Sequence, residues 1–130
     1  RNDSTVLAWG SGEPRREFLF VDDMARASKF VMDIDTAQYQ ADELDSQLSH
    51  INIGTGSDYR ISELTELVAD IVGYKGEIVW DLSKPDGPPR KLLNVKRIES
   101  LGWKSQVSLR QGLHDTYMWF LKNQRGADLH

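Results

Sequence analysis

The chain contains no cysteine. That excludes disulfides, cysteine-ligated metal sites and a cysteine nucleophile, and it fits a reducing, cytoplasmic setting. No apolar run approaches the ~20 residues of a membrane-spanning helix. No excess of positive charge is present: a net charge of -4 argues against a general nucleic-acid binder or a partner of anionic membranes. Metal-ligand patterns are missing as well, and no metal is expected. His50 has no second histidine or carboxylate at ligand spacing and reads as structural. Nor is there a complete dinucleotide fingerprint, because Gly54-Thr55-Gly56 is followed by Tyr59 where a third glycine is required. That pair of glycines reads as a tight turn after a short strand beginning at His50, with a phosphate cradle as the weaker alternative.

What is present fits one modest α/β domain. An apolar content of 39% and a charged content of 28% are ordinary for a globular chain of 130 residues. We expect a single domain over 1-130, with a polar, acidic surface loop at 35-49 and a loose tail at 125-130. The start, Arg1-Asn2-Asp3-Ser4, is polar, lacks methionine and runs straight into a strand, so the chain reads as a C-terminal fragment of a longer protein. Periodicity predicts a helix from Asp22 to about Ile34, with Met24, Ala27, Ser28, Val31 and Ile34 on one face. A second helix is predicted from Ile61 to Val72, closed by Gly73. The strand Glu77–Asp81 follows, and the order strand, helix, strand suggests a parallel pair. Asn94 caps a short helix from Val95 to Leu101. Ser108 and Gln111 form a capping box for a last helix, whose stripe is Leu109, Leu113, Thr116, Tyr117, Phe120 and Leu121, with Trp119 off it.

Two loops stand out. In the first, Val6-Leu7-Ala8-Trp9 reads as a strand, Gly10-Ser11-Gly12-Glu13-Pro14 as a turn, and Phe18-Leu19-Phe20-Val21 as a buried strand. Asp22 and Asp23 suit the following helix start. Arg16 sits at the mouth of this turn, where its fork can grip a phosphate or carboxylate, or pair on the surface with Glu13, Glu17 or Asp22. The second loop, Ser83-Lys84-Pro85-Asp86-Gly87-Pro88-Pro89-Arg90-Lys91, holds three of the 4 prolines and projects three cations. It is either a stiff anion clamp, losing little freedom on binding, or a solvated surface loop. Together the loops could form one positive rim in an acidic protein.

The run Arg16-Glu17-Phe18-Leu19-Phe20-Val21-Asp22-Asp23 after Gly10-Ser11-Gly12 resembles the arginine-bearing segment of the extended short-chain dehydrogenase/reductases, which act on nucleotide sugars. The Lys84 to Leu93 loop, Trp9-Gly10-Ser11-Gly12, Ser49 to Gly56, Val72 to Gly76 and Thr116 to Leu121 resemble the branch that epimerises and reduces GDP-4-keto-6-deoxymannose. Phe20, Pro88 and Asn94 depart from its usual pattern. The resemblance implies a small C-terminal substrate-binding lobe, short strands with about four helices, without the Rossmann half. It implies a GDP-sugar substrate, with Trp9 lining the pocket, Arg16 and Lys91 on the diphosphate, and Asp86 in the loop closing on the base or ribose. It also implies NADP(H), bound mainly by the missing N-terminal part, and a homodimer formed through that part. Neither nucleic acid nor membrane is an expected partner. The reaction needs a Tyr-x-x-x-Lys pair, but Tyr39, Tyr59, Tyr74 and Tyr117 are followed four residues on by Glu43, Glu63, Ile78 and Leu121. No catalytic or cofactor residue is therefore expected in the fragment, which should be inactive alone. Alternatives are the equivalent lobe of a GDP-mannose dehydratase or a UDP-sugar epimerase, or a non-enzymatic nucleotide-sugar-binding scaffold.

Overall fold

The computed structural model describes residues 4–40 and 50–124. Of the expected loop over 35–49, residues 41–49 lie outside them, as does the expected tail over 125–130, while 36–40 form a short helix. The apolar, partly β-branched start forms β1 (Thr5–Trp9), which pairs in parallel with β4 (Glu77–Asp81), Val6 beside Ile78 and Trp9 beside Asp81. A second, three-stranded sheet is built on β2 (Arg15–Glu17). It lies antiparallel to β3 (Asp58–Arg60) and parallel to β5 (Arg90–Lys91). The helices are α1 (Val21–Asp33), α2 (Thr36–Gln40), α3 (Ile61–Val72), α4 (Lys96–Ser100) and α5 (Leu109–Gln124). This is the expected α/β lobe of short strands, with a one-turn α2 at the start of the acidic segment.

Two expected strands are not formed. Residues 18–20 are irregular, because β3 and β5 offer partners only to residues 15–17. Phe20 instead takes the N-cap position of α1 and accepts a bond from Met24 N at 3.0 Å. Residues 50–57 are irregular too, so β4 takes β1 as its parallel partner. The backbone there is bound elsewhere: His50 O accepts from Arg97 at 2.7 Å, and the amides of Thr55 and Gly56 go to Glu17.

The glycine turn between β1 and β2 is fixed by its contacts. Gly12 has φ 77°, and a Cβ there would lie 2.8 Å from the Trp80 ring. The carbonyls of Gly12 and Pro14 accept the first amides of α3, from Ser62 at 2.9 Å and Ile61 at 3.0 Å. Glu63 reaches back to the amide of Arg60 at 2.7 Å, so these donors of the helix start are satisfied. At its other end Gly73 adopts φ 73° as a left-handed cap. Ser108 accepts from Gln111 N at 3.3 Å, but the Gln111 side chain goes to Asp115, so the expected box is half made.

The core is small. Ala27, Val95, Ile98 and Trp103 are buried, with Leu19, Phe30, Val31, Ile51 and Ile53 packed on them. It lies between α1, α4 and the 51–53 segment, away from α3 and α5. The predicted α1 face is shifted: Met24 and Ser28 are exposed, and Asp23 shares the inner face with Ala27. On α5, Thr116 and Phe120 are exposed with Trp119, while Leu109, Leu113, Tyr117 and Leu121 are half-buried.

Asp23 does not cap its helix. Its carboxylate is fully buried and accepts from Val107 N at 2.8 Å and Gln106 N at 3.1 Å, tying α1 to the α4–α5 connection. Arg26 pairs with it at 2.5 Å. Burial pushes the carboxyl up, but the two amides and the guanidinium outweigh that and hold it below the ordinary 3.8. A depressed carboxyl contributes stability above 3.8 that is lost as pH falls through its lower folded value. Asp23→Ala leaves two part-buried amides without their acceptor and should cost about 1–3 kcal/mol in urea unfolding. It should also flatten the acid limb of the stability–pH profile. Asp23→Asn, which keeps an acceptor, should cost less.

Candidate anion-binding site

Side chains alternate along β2, and the alternation sorts its cations. Arg15 and Arg90 are register partners, and Asp58 on β3 takes both, at 2.9 Å from Arg15 and 2.5 Å from Arg90. The Asp58 side chain is only 4% exposed. Its bond to Arg90 is the leading cause of a carboxyl pKa below the ordinary value; burial opposes it, and Arg15 adds to it. The same pairing raises the pKa of Arg15.

The next pair in register is Arg16 with Lys91. Neither forms an ion pair among the described residues. The surface pairing considered for Arg16 is not made: Glu13 turns to Arg60 at 3.6 Å and Glu17 to backbone amides. Arg16 Nη1 is held by the carbonyls of Arg15 at 2.7 Å and Pro88 at 2.8 Å. Arg16, Glu17, Lys91, Leu92 and Leu93 line a groove of about 520 Å³. The two sequence-distant basic loops do converge, through β-pairing between residues 75 positions apart.

Glu17 is an acid beside this cationic groove, and its charge is used internally. Oε1 accepts from Thr55 N at 2.6 Å and Gly56 N at 2.7 Å, and Oε2 from Leu93 N at 3.0 Å. The turn 54–56 therefore cradles an anion, but the anion is a side chain of the same chain. A Cβ on Gly54 would lie 2.5 Å from that carboxylate, which explains the glycine.

Above the groove the second loop folds back on the glycine turn. Asp86 accepts from Ser11 N at 2.9 Å and Ser11 Oγ at 2.6 Å. These bonds, the side-chain one first, lower its pKa against a smaller effect of burial. A Cβ on Gly87 would lie 3.0 Å from the Arg16 guanidinium. Trp9 is 72% exposed, with Lys84 Nζ 5.5 Å from its ring centroid. Of the four expected contacts, Arg16 and Lys91 line the groove, whereas Trp9 meets Lys84 and Asp86 meets Ser11, in the loop that reaches Arg16 through Gly87 and Pro88. Sequence reasoning missed Glu17, Asp58 and Ser11. Their partners lie 32 to 76 positions away, and no local spacing signals them.

A small α/β lobe of short strands and helices fits a fragment of an extended short-chain dehydrogenase/reductase. Residues 1–54 match the NAD dependent epimerase/dehydratase family. The chain is 53% identical over 124 residues to the GDP-L-fucose synthase of Escherichia coli K12, covering 95% of this chain and 38% of that one. Among solved structures it is similar to a GDP-6-OMe-4-keto-L-xylo-heptose reductase from C. jejuni, with a TM-score of 0.84 and 38% identity over 92% of this chain and 34% of that one. It is also similar to a GDP-mannoheptose C4 reductase from Campylobacter jejuni with NADP bound, with a TM-score of 0.76 and 41% identity over 90% of this chain and 35% of that one. The chain spans little more than a third of these relatives. The 54–56 turn does not suit the phosphates of NADP, because Glu17 already holds its amides.

Glu17→Ala should release the amides of Thr55, Gly56 and Leu93. Their hydrogen exchange should speed up by the equivalent of about 1–3 kcal/mol of local stability, with smaller changes in α5.

Proposed function

We propose that this chain is the GDP-sugar-binding part of a GDP-L-fucose synthase. That enzyme converts GDP-4-keto-6-deoxy-D-mannose to GDP-L-fucose by C3/C5 epimerisation and C4 reduction with NADPH. The carrying observation is the in-register pair Arg16 and Lys91, two cations without an acidic partner among the described residues, facing one groove. A diphosphate fits that arrangement: the guanidinium fork and the ammonium each make charge-assisted bonds to its oxygens, and these are about twice as strong as neutral ones. Trp9 offers a flat, open face to the base or sugar, and Asp86 stands in the loop over the ligand. Glu17, already bonded, does not compete with the phosphates for Arg16.

In this reading the tyrosine–lysine pair, the NADP site and the dimer contact belong to the rest of a longer enzyme. This chain binds and orients the GDP end, and alone it is inactive. The substrate is a small molecule, with no part for nucleic acid or membrane.

Titration of the full-length protein with GDP-fucose, GDP and UDP should give tighter binding for the guanosine ligands. Arg16→Ala should weaken all three by at least about tenfold, the weight of a charged hydrogen bond. Equal affinity for UDP would remove the guanosine assignment, and unchanged affinity in Arg16→Ala would remove the diphosphate clamp.

A further inference from the structure

We propose that Asp58 is a positioning residue for the groove: by taking Arg90 across the central strand it fixes the register of β5 and so sets Lys91 beside Arg16. This rests on the reading of the Arg16–Lys91 groove as the diphosphate site. β5 is two residues long, and both are cations. Successive side chains of a strand point to opposite faces, and a slip of one residue exchanges them. A slip here would turn Arg90 into the groove and Lys91 away from it, with the same number of cations on the strand. So short a ladder specifies its own register weakly.

Asp58 tells the two cations apart. β2 lies between β3 and β5, so a β3 carboxylate that bonds β5 spans the sheet. Oδ1 accepts from Arg15 Nε at 2.9 Å and Oδ2 from Arg90 Nε at 2.5 Å, while the Asp58 carbonyl accepts from Arg15 Nη2 at 2.9 Å. Arg15 thus seats the nearly buried carboxylate, and Arg90 is the arm that reaches it from β5. With Arg90 turned to Asp58, the next residue, Lys91, faces the groove with Arg16. Backbone bonds hold the same segment: Pro89 O accepts from Arg15 N at 2.8 Å, and Leu93 N donates to Glu17 at 3.0 Å. Backbone groups are alike at every residue, however, and cannot distinguish Arg90 from Lys91. A carboxylate can, because a guanidinium suits a fixed, nearly buried acceptor better than a strongly hydrated ammonium does.

The test uses the full-length protein with Asp58→Asn, Arg90→Gln, Lys91→Ala, and each of the first two combined with Lys91→Ala. GDP affinity is measured, and peptide-level hydrogen exchange is read over residues 88–93 without ligand. Asp58→Asn should speed that exchange and weaken GDP binding roughly tenfold, the equivalent of a charged hydrogen bond. The sign is diagnostic: by field alone, loss of a negative charge near a cationic groove tightens a diphosphate. Unchanged or tighter binding therefore overturns the proposal. Lys91→Ala should cost little more in the Asp58→Asn background, because its ammonium is already misplaced. Losses that add show that Asp58 does not act through Lys91, and they overturn it too. Arg90→Gln removes the same bond from a side chain that is 60% exposed, and it should reproduce the faster exchange and the missing additivity. It carries both readings if Asp58→Asn does not fold, and wild-type exchange in Arg90→Gln overturns the pinning. If wild type does not bind GDP, or Arg16→Ala and Lys91→Ala bind it equally well, the site reading fails. The exchange over 88–93 still decides whether Asp58 holds β5.

Discussion

Asp58 takes two arginines out of play. Its side chain sits nearly buried on β3 between Arg15 and Arg90, offsetting part of their charge, while the neighbouring pair, Arg16 and Lys91, has no acidic partner among the described residues. With three-residue β2 at the centre, side-chain alternation would otherwise leave four cations on two adjacent strands. Like charges opposite each other in a sheet repel, so one pair must be compensated for the other to be tolerated. The charge of the groove is thus set by a residue that does not line it.

A common rule runs through the other carboxylates. Asp23, Glu17 and Asp86 each accept bonds from the amides of a distant irregular segment: 106–107, 55–56 with 93, and 11. Loops cannot satisfy their own amides as helices and sheets do, and in a lobe with so small an apolar core these anionic acceptors replace packing. An acidic protein can therefore present a basic groove. Three of its carboxylates are turned onto backbone, while Arg16 and Lys91 have no acidic partner among the described residues.

The sequence showed the helices well. Apolar stripes with capping residues located α1, α3, α4 and α5 to within a residue or two, and Gly73 ended α3 as read. It showed the β1–β4 strands but not their pairing, because the run at His50–Ile53 has the composition of a strand and lacks a neighbour to pair with. Phe18–Val21 misled in the same way: its apolar residues serve a helix entry, and Phe20 packs on Gly112. The basic loops were visible as isolated arginine, lysine and proline clusters. Their convergence depends on a parallel ladder across more than seventy residues, which no local pattern encodes.

The glycine turn has a mechanical side. Its carbonyls at Gly12 and Pro14 hold the first amides of α3, and its Ser11 holds the basic loop. The start of α3 and the basic loop thus hang on the same short turn. Opening the turn would free the first amides of α3 and the Asp86 carboxylate together.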